Sequence, residues 1–564
     1  MTGNIGAVDP NSRGWAGLLA GHGATQLQTA LRDWLPRQRW FGAKTRRIRT
    51  AKVLEWVALP DAGASSALVF IQIDYEEGPP SVFQLPLAMV AGAEAERIAV
   101  QNPECVLAAL TTKAGSDIVY DATTREDFRQ SLLALIRSNS TLAVVSAQSS
   151  GEVNPLDASQ SPFRSHLEAR ASSAFGDRAV NERISSRVGS AEQSNTSILY
   201  GDAYILKLFR RLQPGENPDV EIGRFLTDVA HFSHIAPFLG EAAITHTNGE
   251  KTTVAMLQAL VPNHGDGWDW FLKQLRLYFG EVSTRPATPA LAPPGFHAER
   301  PPLPIAIGPA QSSLAAAALL GRRTAEMHLA LSSSRDIFDF APEAFTTEDL
   351  ERDALRIETQ INSALKALKT GLSNLNHSIS DAAGVLLSRQ DELVARAQAI
   401  LRLPARGERI RIHGDYHLGQ TLRTGSEPGD FVLLDFEGEP ARPLAERRRK
   451  QSPLKDVAGM IRSFSYVAYA ALDKSLADNR EGSQPTHSTD LAAWAELWRN
   501  AASAEFLWAY REVISASKTL LPPPEQSHDL LGAYLLEKAL YELLYELNNR
   551  PAWLHIPIAG ILSS

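Results

Sequence analysis

The sequence has little cysteine: Cys105 is the single one among 564 residues. An intrachain disulfide is therefore impossible, and a zinc site built from cysteines would lack ligands. Long apolar runs are lacking too, since the richest, at residues 314–320, is far shorter than the about 20 residues that span a membrane. The N-terminus shows neither the basic nor the apolar region of an export signal. We therefore expect a cytoplasmic protein with no membrane partner.

Positive charge is not in excess either. The chain has 56 basic and 64 acidic residues, a net charge of -8. This balance disfavours a nucleic acid as the main ligand. The hydrophobic fraction of 44% and charged fraction of 21% are those of ordinary folded domains and exclude a disordered or coiled-coil chain. The length predicts two to four domains.

The distribution of patterns predicts an α+β first half and a helix-rich second half. Strand-like runs at residues 51–59, 67–75 and 81–87 predict a small α+β module that ends near residue 95. Two further β-rich runs surround Gly201-Asp202, a pair that favours a tight hairpin turn. Helical patterns dominate after residue 311.

Residues 409–440 bear most directly on chemistry. Two β runs, RIRI before His413 and FVLL before Asp435, predict an antiparallel pair that gathers Asp415, Gln420 and Asp435. Phosphoryl transfer requires a carboxylate to receive the proton of the attacking hydroxyl and oxygen ligands for Mg²⁺. The alternative is that His413, Asp415 and His417 only cap or form turns.

An upstream segment predicts a complementary phosphate site. Lys207 lies in an apolar strand and Glu221 follows early in a helix, which is how protein-kinase-like folds position nucleotide phosphates. The alternative is a lysine that extends to solvent from an edge strand. A polar loop before this strand offers hydroxyl and amide groups to phosphate oxygens. Its candidate ATP-binding residues are Ser190, Ser194, Asn195 and Thr196.

Taken together, these segments resemble the bacterial maltokinases, which belong to the aminoglycoside-phosphotransferase-like branch of the protein-kinase-like fold. The resemblance extends over nearly the whole chain from residue 27. The matching segments are QRWFGAK (38–44), EQSNTS (192–197), LKLFRR (206–211), HGDYHLGQ (413–420), DFEGEPARP (435–443), SPLKDVAGMIRS (452–463) and EKALYELLYELNNRPAWL (537–554).

The resemblance implies an α+β, bilobal protein-kinase-like fold with an N-terminal cap module. The expected parts are the cap at residues 1–95, an N-lobe with the phosphate loop and ATP lysine at 96–262, and a large, mainly helical C-lobe at 263–564. The C-lobe would carry the catalytic loop and the sugar site.

The resemblance also implies roles for single residues. Asp415 would be the catalytic base, and Gln420 and Asp435 would hold Mg²⁺, with Glu437 joining the metal shell directly or through water. ATP would be the phosphoryl donor. Lys207 would contact its phosphates, Glu221 would hold that lysine, and the backbone from Gln258 to Leu260 would form the adenine hinge.

For the acceptor, the resemblance implies maltose, phosphorylated at its anomeric hydroxyl to maltose 1-phosphate for α-glucan synthesis from trehalose. Lys538, Tyr541 and Tyr545 share one helix face and would bind the sugar near His413. The alternative for the tyrosines is packing in a helical core. Asp456 would orient the catalytic loop or cap the following helix.

Two other functions stay open. A kinase of the same fold acting on another sugar, such as glucosamine, would keep every nucleotide-binding feature and differ in the acceptor face. A non-catalytic partner of trehalose synthase would also fit the resemblance, although the intact Lys207, Asp415, Gln420 and Asp435 disfavour it. The cap is a candidate interface with that enzyme.

Overall fold

The computed structural model describes most of the chain, which divides into two compact units. The units are Met1–Asp228 with Ala236–Val261, and Val229–Ile235 with Pro262–Ser564. Within the described residues, no helix is both long and apolar enough to cross a membrane. The described residues are 3–5, 15–19, 21–60, 65–112, 115–147, 165–176, 184–189, 194–283, 285, 291–296, 300, 303–426, 428–440, 442–481 and 488–563.

The first unit contains mainly strands. They are β1 (Gly3–Ile5), β2 (Ile48–Leu59), β3 (Ser65–Tyr75), β4 (Ser81–Ala91), β5 (Val106–Thr112), β6 (Gly115–Asp121), β7 (Thr141–Ala143), β8 (Val145–Ser146), β9 (His166–Ala171), β10 (Ser186–Val188), β11 (Asn195–Tyr200), β12 (Tyr204–Phe209), β13 (Arg211–Leu212), β14 (Phe238–Thr245) and β15 (Lys251–Ala259). Its helices are α1 (Trp15–Leu19), α2 (Gly21–Trp34), α3 (Gly92–Gln101), α4 (Glu126–Arg137) and α5 (Pro218–Arg224).

These strands form two sheets. The first has the order β1-β5-β6-β4-β3-β2-β8, and β13 also pairs with β4. The second has the order β10-β11-β12-β15-β14-β9-β7. The predicted hairpin is confirmed, because β11 and β12 pair antiparallel from Tyr200 opposite Tyr204. Gly201 takes a φ of 50° in its loop, in the left-handed region that glycine adopts readily.

Both faces of the first sheet are covered. On one face, α2 packs through Leu27, Leu31 and Trp34, the stripe that its helical spacing predicts, together with Trp40 and Phe41. The opposite face shares a core with α4 and the second sheet. Residue 95, the predicted end of the cap, falls between β4 and β5 of this one sheet. The division into three parts stays a prediction.

The second unit is mainly helical, as the apolar spacing predicts. Its helices are α6 (Gly267–Val282), α7 (Gln311–Leu331), α8 (Thr347–Gly371), α9 (His377–Ser388), α10 (Gln390–Ala399), α11 (Leu444–Arg447), α12 (Leu454–Glu481), α13 (Ser488–Ile514), α14 (Pro524–Asn549) and α15 (His555–Ser563). Two short antiparallel pairs interrupt them: β16 (Glu343–Ala344) with β17 (Glu408–Arg409), and β18 (Thr421–Thr424) with β19 (Asp430–Leu433).

The predicted pairing of RIRI with FVLL is wrong in its first partner. FVL lies in β19, which pairs with β18, and not with residues 409–412. Only Arg409 of that earlier run is in a strand, and Ile410 instead exchanges backbone hydrogen bonds with Gln451. Gln420 and Asp435 still meet, because Gln420 directly precedes β18 and Asp435 lies two residues after β19, both at the open end of this hairpin.

Helices α7 and α13 pack closely through a glycine. A Cβ atom built on Gly321 would overlap the backbone carbonyl of Phe506. Trp498 of α13 is fully buried and donates from Nε1 to Ser313 Oγ of α7 at 2.9 Å. Trp498 therefore packs in the core, as its helical spacing predicts.

This packing predicts opposite effects for two glycine substitutions. Gly321→Ala should lower the free energy of unfolding by about 1–3 kcal/mol, because the helices must move apart. Gly532→Ala in α14 meets no atom within 4 Å, so better helix propensity should raise stability by about 0.5–1 kcal/mol. Denaturant unfolding of both variants measures this, and an equally stable Gly321→Ala protein would contradict the packing account.

Candidate active site

The segment from His413 to Gln420 is a loop whose backbone is held by one buried carboxylate. Asp456 of α12 accepts hydrogen bonds from the backbone N–H groups of His413, at 2.8 Å, and Gly414, at 2.9 Å. Gly414 has a φ of 81°, and a Cβ atom there would lie 3.2 Å from the Cα of Gly438. The turn therefore requires glycine, and the contacts of Asp456 are those that its predicted orienting role needs.

Asp456 is itself held by a histidine that the sequence did not single out. His328 of α7 is fully buried, and its Nε2 lies 3.1 Å from Asp456 Oδ2 while its Nδ1 lies 3.0 Å from the Tyr510 hydroxyl. Burial raises the pKa of Asp456, but the His328 ring and the Gly414 N–H lower it by a larger amount. The pKa of Asp456 therefore lies below its usual value.

The helix that carries His328 supports the loop at a second point. Thr324, one turn earlier in α7, donates to the Tyr416 hydroxyl at 3.0 Å. On the other side, Gly459 of α12 faces the backbone of Tyr416, and a Cβ atom there would lie 2.5 Å from its carbonyl oxygen. Helices α7 and α12 thus fix the loop from both sides.

Asp415 faces the ammonium group of Lys538 in α14. Lys538 Nζ lies 3.1 Å from Asp415 Oδ1 and 2.9 Å from Glu439 Oε1. Burial raises the pKa of Asp415, but the charge and hydrogen bond of Lys538, together with His417 and His413, lower it by more, so the pKa lies below its usual value. Burial lowers the pKa of Lys538, but the two carboxylates raise it above its usual value. Asp415 is therefore a carboxylate at neutral pH.

These groups line a cleft of about 620 Å³, part of which is open solvent. Burial raises the pKa of Tyr541 in its wall to about 12, so the phenol stays protonated. Lys538 lies 4.8 Å above the Tyr541 ring. The lining residues are Ile412, Gly414, Asp415, Tyr416, Gly438, Glu439, Arg442, Arg447, Gln451, Lys455, Asp456, Gly459, Tyr534, Glu537, Lys538 and Tyr541.

A buried group of charges fixes helix α14 behind Lys538. Glu537 is 2.6 Å from Arg356, 3.5 Å from Arg442 and 3.8 Å from Lys455. Burial raises the pKa of Glu537, but these cations lower it well below its usual value. Because a buried carboxylate needs such partners to stay ionised, the cluster sets the rotation of α14 and so the direction of Lys538.

Two predicted sugar ligands lie elsewhere. His413 is 1% exposed, with Nε2 2.8 Å from the Leu434 carbonyl oxygen and its ring between Tyr416 and Phe436. It supports the loop and does not face the cleft. Tyr545 is 46% exposed under the guanidinium group of Arg550 and is absent from the cleft lining described above. The sugar-binding roles of His413 and Tyr545 stay predictions that this geometry does not support.

The predicted metal ligands meet at the end of the β18–β19 hairpin. Gln420 Nε2 donates to Asp435 Oδ2 at 3.0 Å, and one carboxylate oxygen of Asp435 lies within 4.8 Å of one of Glu437. The two ends of a glutamine amide are assigned by hydrogen bonding, so rotation would present its oxygen in place of its nitrogen. Two carboxylates and an amide oxygen fit the oxygen preference of Mg²⁺.

Asp435 adopts a backbone conformation that is unusual for its residue type. Its φ is 66°, in the left-handed region where residues other than glycine are uncommon. Such conformations persist only where the surroundings impose them, and they concentrate at functional sites.

In the first unit, Lys207 contacts an acid other than the predicted Glu221. Its Nζ donates to Asp219 Oδ2 at 3.1 Å. Asp219 and Glu221 both lie in the first turn of α5, are both buried, and follow the N-cap residue Asn217. An acid in the first turn after an Asn-Pro start was the available signal. The pairing of Lys207 with Glu221 stays a prediction.

The predicted phosphate loop is partly a strand. Asn195 and Thr196 begin β11, and Ser194 is an exposed residue just before it. The Thr196 hydroxyl is buried and accepts a hydrogen bond from Arg210 Nε at 2.8 Å. Ser190 lies outside the described residues. The roles of these four residues in ATP binding stay predictions.

The predicted adenine hinge lies at the end of β15. Gln258 is paired with Ile205 on one side and Phe238 on the other. The Leu260 N–H donates to the Ala203 carbonyl oxygen at 2.9 Å, so this donor is already used within the unit. The hinge stays a prediction.

The contacts of Asp456 predict that replacing one of its carboxylate oxygens by an amide nitrogen destabilises the protein. Asp456→Asn should lower the free energy of unfolding by about 1–3 kcal/mol at neutral pH, because an amide nitrogen would replace one acceptor. The pKa of Asp456 lies below its usual value, so its carboxylate stabilises the wild-type protein at neutral pH. The stability difference between wild type and variant should therefore shrink as the pH falls and this carboxylate becomes protonated. Asp473→Asn, on an exposed side chain of the same helix, is the control. Equal stability of both variants in denaturant unfolding would contradict the role of Asp456.

Comparisons with known proteins agree on the kind of protein. The maltokinase N-terminal cap domain family matches residues 34–124. A glucosamine kinase of Streptacidiphilus jiangxiensis is 25% identical over 373 residues, which are 65% of this chain and 70% of that protein. A glucosamine kinase of Mycolicibacterium smegmatis is 27% identical over 377 residues, 66% of this chain and 77% of that protein.

The solved structures extend the similarity to the fold. A glucosamine kinase in complex with glucosamine, ADP and inorganic phosphate has a TM-score of 0.57 at 18% identity, covering 91% of this chain and 93% of that one. The α+β, protein-kinase-like fold is therefore confirmed. Residues 34–124 match the maltokinase N-terminal cap domain family, and about two thirds of the chain is similar to glucosamine kinases. The comparisons therefore support a sugar kinase of this fold.

Proposed function

We propose that this protein transfers the γ-phosphoryl group of ATP to the anomeric hydroxyl of maltose, giving maltose 1-phosphate and ADP. The observation that carries the proposal is the ionised Asp415, placed beside Lys538 in a cleft of about 620 Å³.

Asp415 would receive the proton of the attacking hydroxyl. As the sugar oxygen forms its bond to the γ-phosphorus, the bond from phosphorus to the ADP oxygen breaks and the hydroxyl proton passes to the carboxylate. The lowered pKa of Asp415 ensures that it is ionised at the start of the reaction. Its position depends on the loop that Asp456 holds.

Lys538 would act partly through the base. At 3.1 Å from Asp415 it stabilises the carboxylate, and its second partner, Glu439, limits how strongly it does so. A lysine also offers donors to sugar oxygens, as the predicted sugar-binding role requires. Tyr541 would add an aromatic surface beside it.

Mg²⁺ would be held by Asp435 and Gln420, with Glu437 directly or through water. The ion neutralises charge on the nucleotide phosphates when it is bound. Lys207 would contact the phosphates, and Asp219 would hold the ammonium group in place. These assignments rest on donor chemistry and on the order of the residues in the fold.

The choice of maltose is supported by the cap domain, whose family is that of the maltokinases. Glucosamine is the second candidate, because the named relatives are glucosamine kinases. The carboxylates of Glu439 and Glu537 in the cleft lining would suit an amino sugar, although both already have cationic partners. Trehalose synthase as a partner stays a prediction.

An acceptor panel tests this proposal. Wild-type protein with ATP and Mg²⁺ should phosphorylate maltose in preference to glucose and glucosamine, measured by ADP release and by mass spectrometry of the product. Asp415→Asn should lower kcat by about 10³-fold, because the base is lost, with unchanged thermal unfolding. Asp473→Asn is the control. Preference for glucosamine would refute the acceptor alone, whereas normal turnover by Asp415→Asn would refute the base.

The pairing of Asp415 with Lys538 predicts a pH effect. Lys538→Met removes the charge that contributes most to lowering the pKa of Asp415, so that pKa should rise in the variant. The acid limb of the kcat profile should move to higher pH in the variant, because protonated Asp415 cannot accept a proton. Lys474→Met, at an exposed position of α12, should leave the limb in place. An unmoved limb in Lys538→Met would show that Lys538 does not tune the base.

A further inference from the structure

Two residues of the first unit, Trp40 and Arg210, have no role assigned in the site described above, and they contact each other. Trp40 belongs to QRWFGAK, and Arg210 belongs to LKLFRR. Arg210 is 1% exposed, and its guanidinium carbon lies 4.6 Å from the centroid of the Trp40 ring. A cation over an aromatic face is attracted most strongly where water is excluded, as it is here.

Arg210 also has polar partners that make its burial possible. Its Nη2 donates to Asp121 Oδ2 at 2.7 Å and its Nε donates to Thr196 Oγ1 at 2.8 Å. The other oxygen of Asp121 accepts from the hydroxyl of Thr123 at 2.6 Å. Because a buried guanidinium group is costly unless it is paired, these contacts fix its position closely.

Arg210 lies at the end of the strand that carries Lys207. The two residues are three apart, and β12 ends at Phe209. Strand β4 of the first sheet holds this end as well: the Gln84 N–H donates to the Arg210 carbonyl oxygen at 2.8 Å, and Gln84 Nε2 donates to the Phe209 carbonyl oxygen at 3.2 Å. Arg211 then pairs with Phe83. Strand β4 of the first sheet therefore holds the end of β12 in place.

We propose that Trp40 and Arg210 are positioning residues for nucleotide binding: their stacked contact anchors β12 and so places Lys207 for the phosphates of ATP or ADP. The inference rests on the proposed role of Lys207. It gives the cap a task inside the enzyme, separate from any contact with another protein. A purely structural role for Trp40 would instead change stability and leave nucleotide affinity alone.

The test compares variants that differ in their contact with Arg210. Trp40→Leu removes the ring face, Trp40→Phe keeps a smaller one, and Phe41→Leu removes a neighbouring buried ring of the same cluster. ADP binding is measured by titration calorimetry without sugar, followed by the KM values for ATP and for the sugar. Thermal unfolding of each variant gives the matched loss of stability.

Trp40→Leu should weaken ADP binding and raise the KM for ATP by about tenfold, while the KM for the sugar stays within about twofold. Trp40→Phe should retain most of the affinity. Phe41→Leu should lose stability with nearly unchanged nucleotide affinity. Unchanged ADP affinity in Trp40→Leu, or an equal loss in Phe41→Leu, would overturn the inference.

If Trp40→Leu does not fold, Arg210→Lys applies the same test, because lysine keeps the charge and loses the planar fork. Its ADP affinity should fall by a similar factor, and wild-type affinity would overturn the inference. Because ADP binding is measured without an acceptor, this outcome is independent of which sugar is phosphorylated. A wild-type protein that binds ADP but phosphorylates no sugar would refute the proposed function and leave the role of Trp40 to be decided by the same affinities.

Discussion

The candidate active site depends on one buried carboxylate, that of Asp456. It accepts hydrogen bonds from the backbone N–H groups of two consecutive residues, His413 and Gly414. These bonds fix the turn after which Asp415 enters the cleft. An unpaired carboxylate at this depth would be expelled or protonated. His328 keeps it ionised, and Tyr510 in turn orients His328. Hydrogen bonds that join α13, α7 and α12 therefore hold the backbone just before Asp415.

Buried charged side chains in both units have a close partner of opposite charge. Lys207 has Asp219 in the first unit, and Asp415 has Lys538 in the second. Each pair is largely withdrawn from water, so each charge is effective over a short distance and little screened by salt. The buried Glu537 is paired in the same way, and its cationic partners hold in place the helix from which Lys538 extends.

Much of this arrangement follows from local patterns. The β11–β12 hairpin and the helical second unit are visible in spacing and turn residues. Gln420 and Asp435 do meet, but through the β18–β19 hairpin and not through the strand pairing that the pattern predicts. Asp219 carried only the weak signal of an acid in a first helical turn. His328 and Tyr510 gave none, because residues 128 and 54 positions from Asp456 are joined only by how helices pack. The alternating apolar residues of RIRI predict a strand that pairs with FVLL. In the structure, the backbone of Ile410 is hydrogen-bonded to Gln451, which is distant in sequence.

The pairing of β13 with β4 has a consequence for how the chain folds during synthesis. Phe83 and Val82 find their partners, Arg211 and Leu212, only after well over a hundred further residues have left the ribosome. Until then Val82 and Phe83 of β4 lack these partners, and Arg210 is not yet in place over the Trp40 ring. The N-terminal third of the protein therefore cannot be exchanged between related proteins by itself, because residues 211 and 212 complete the pairing of its sheet.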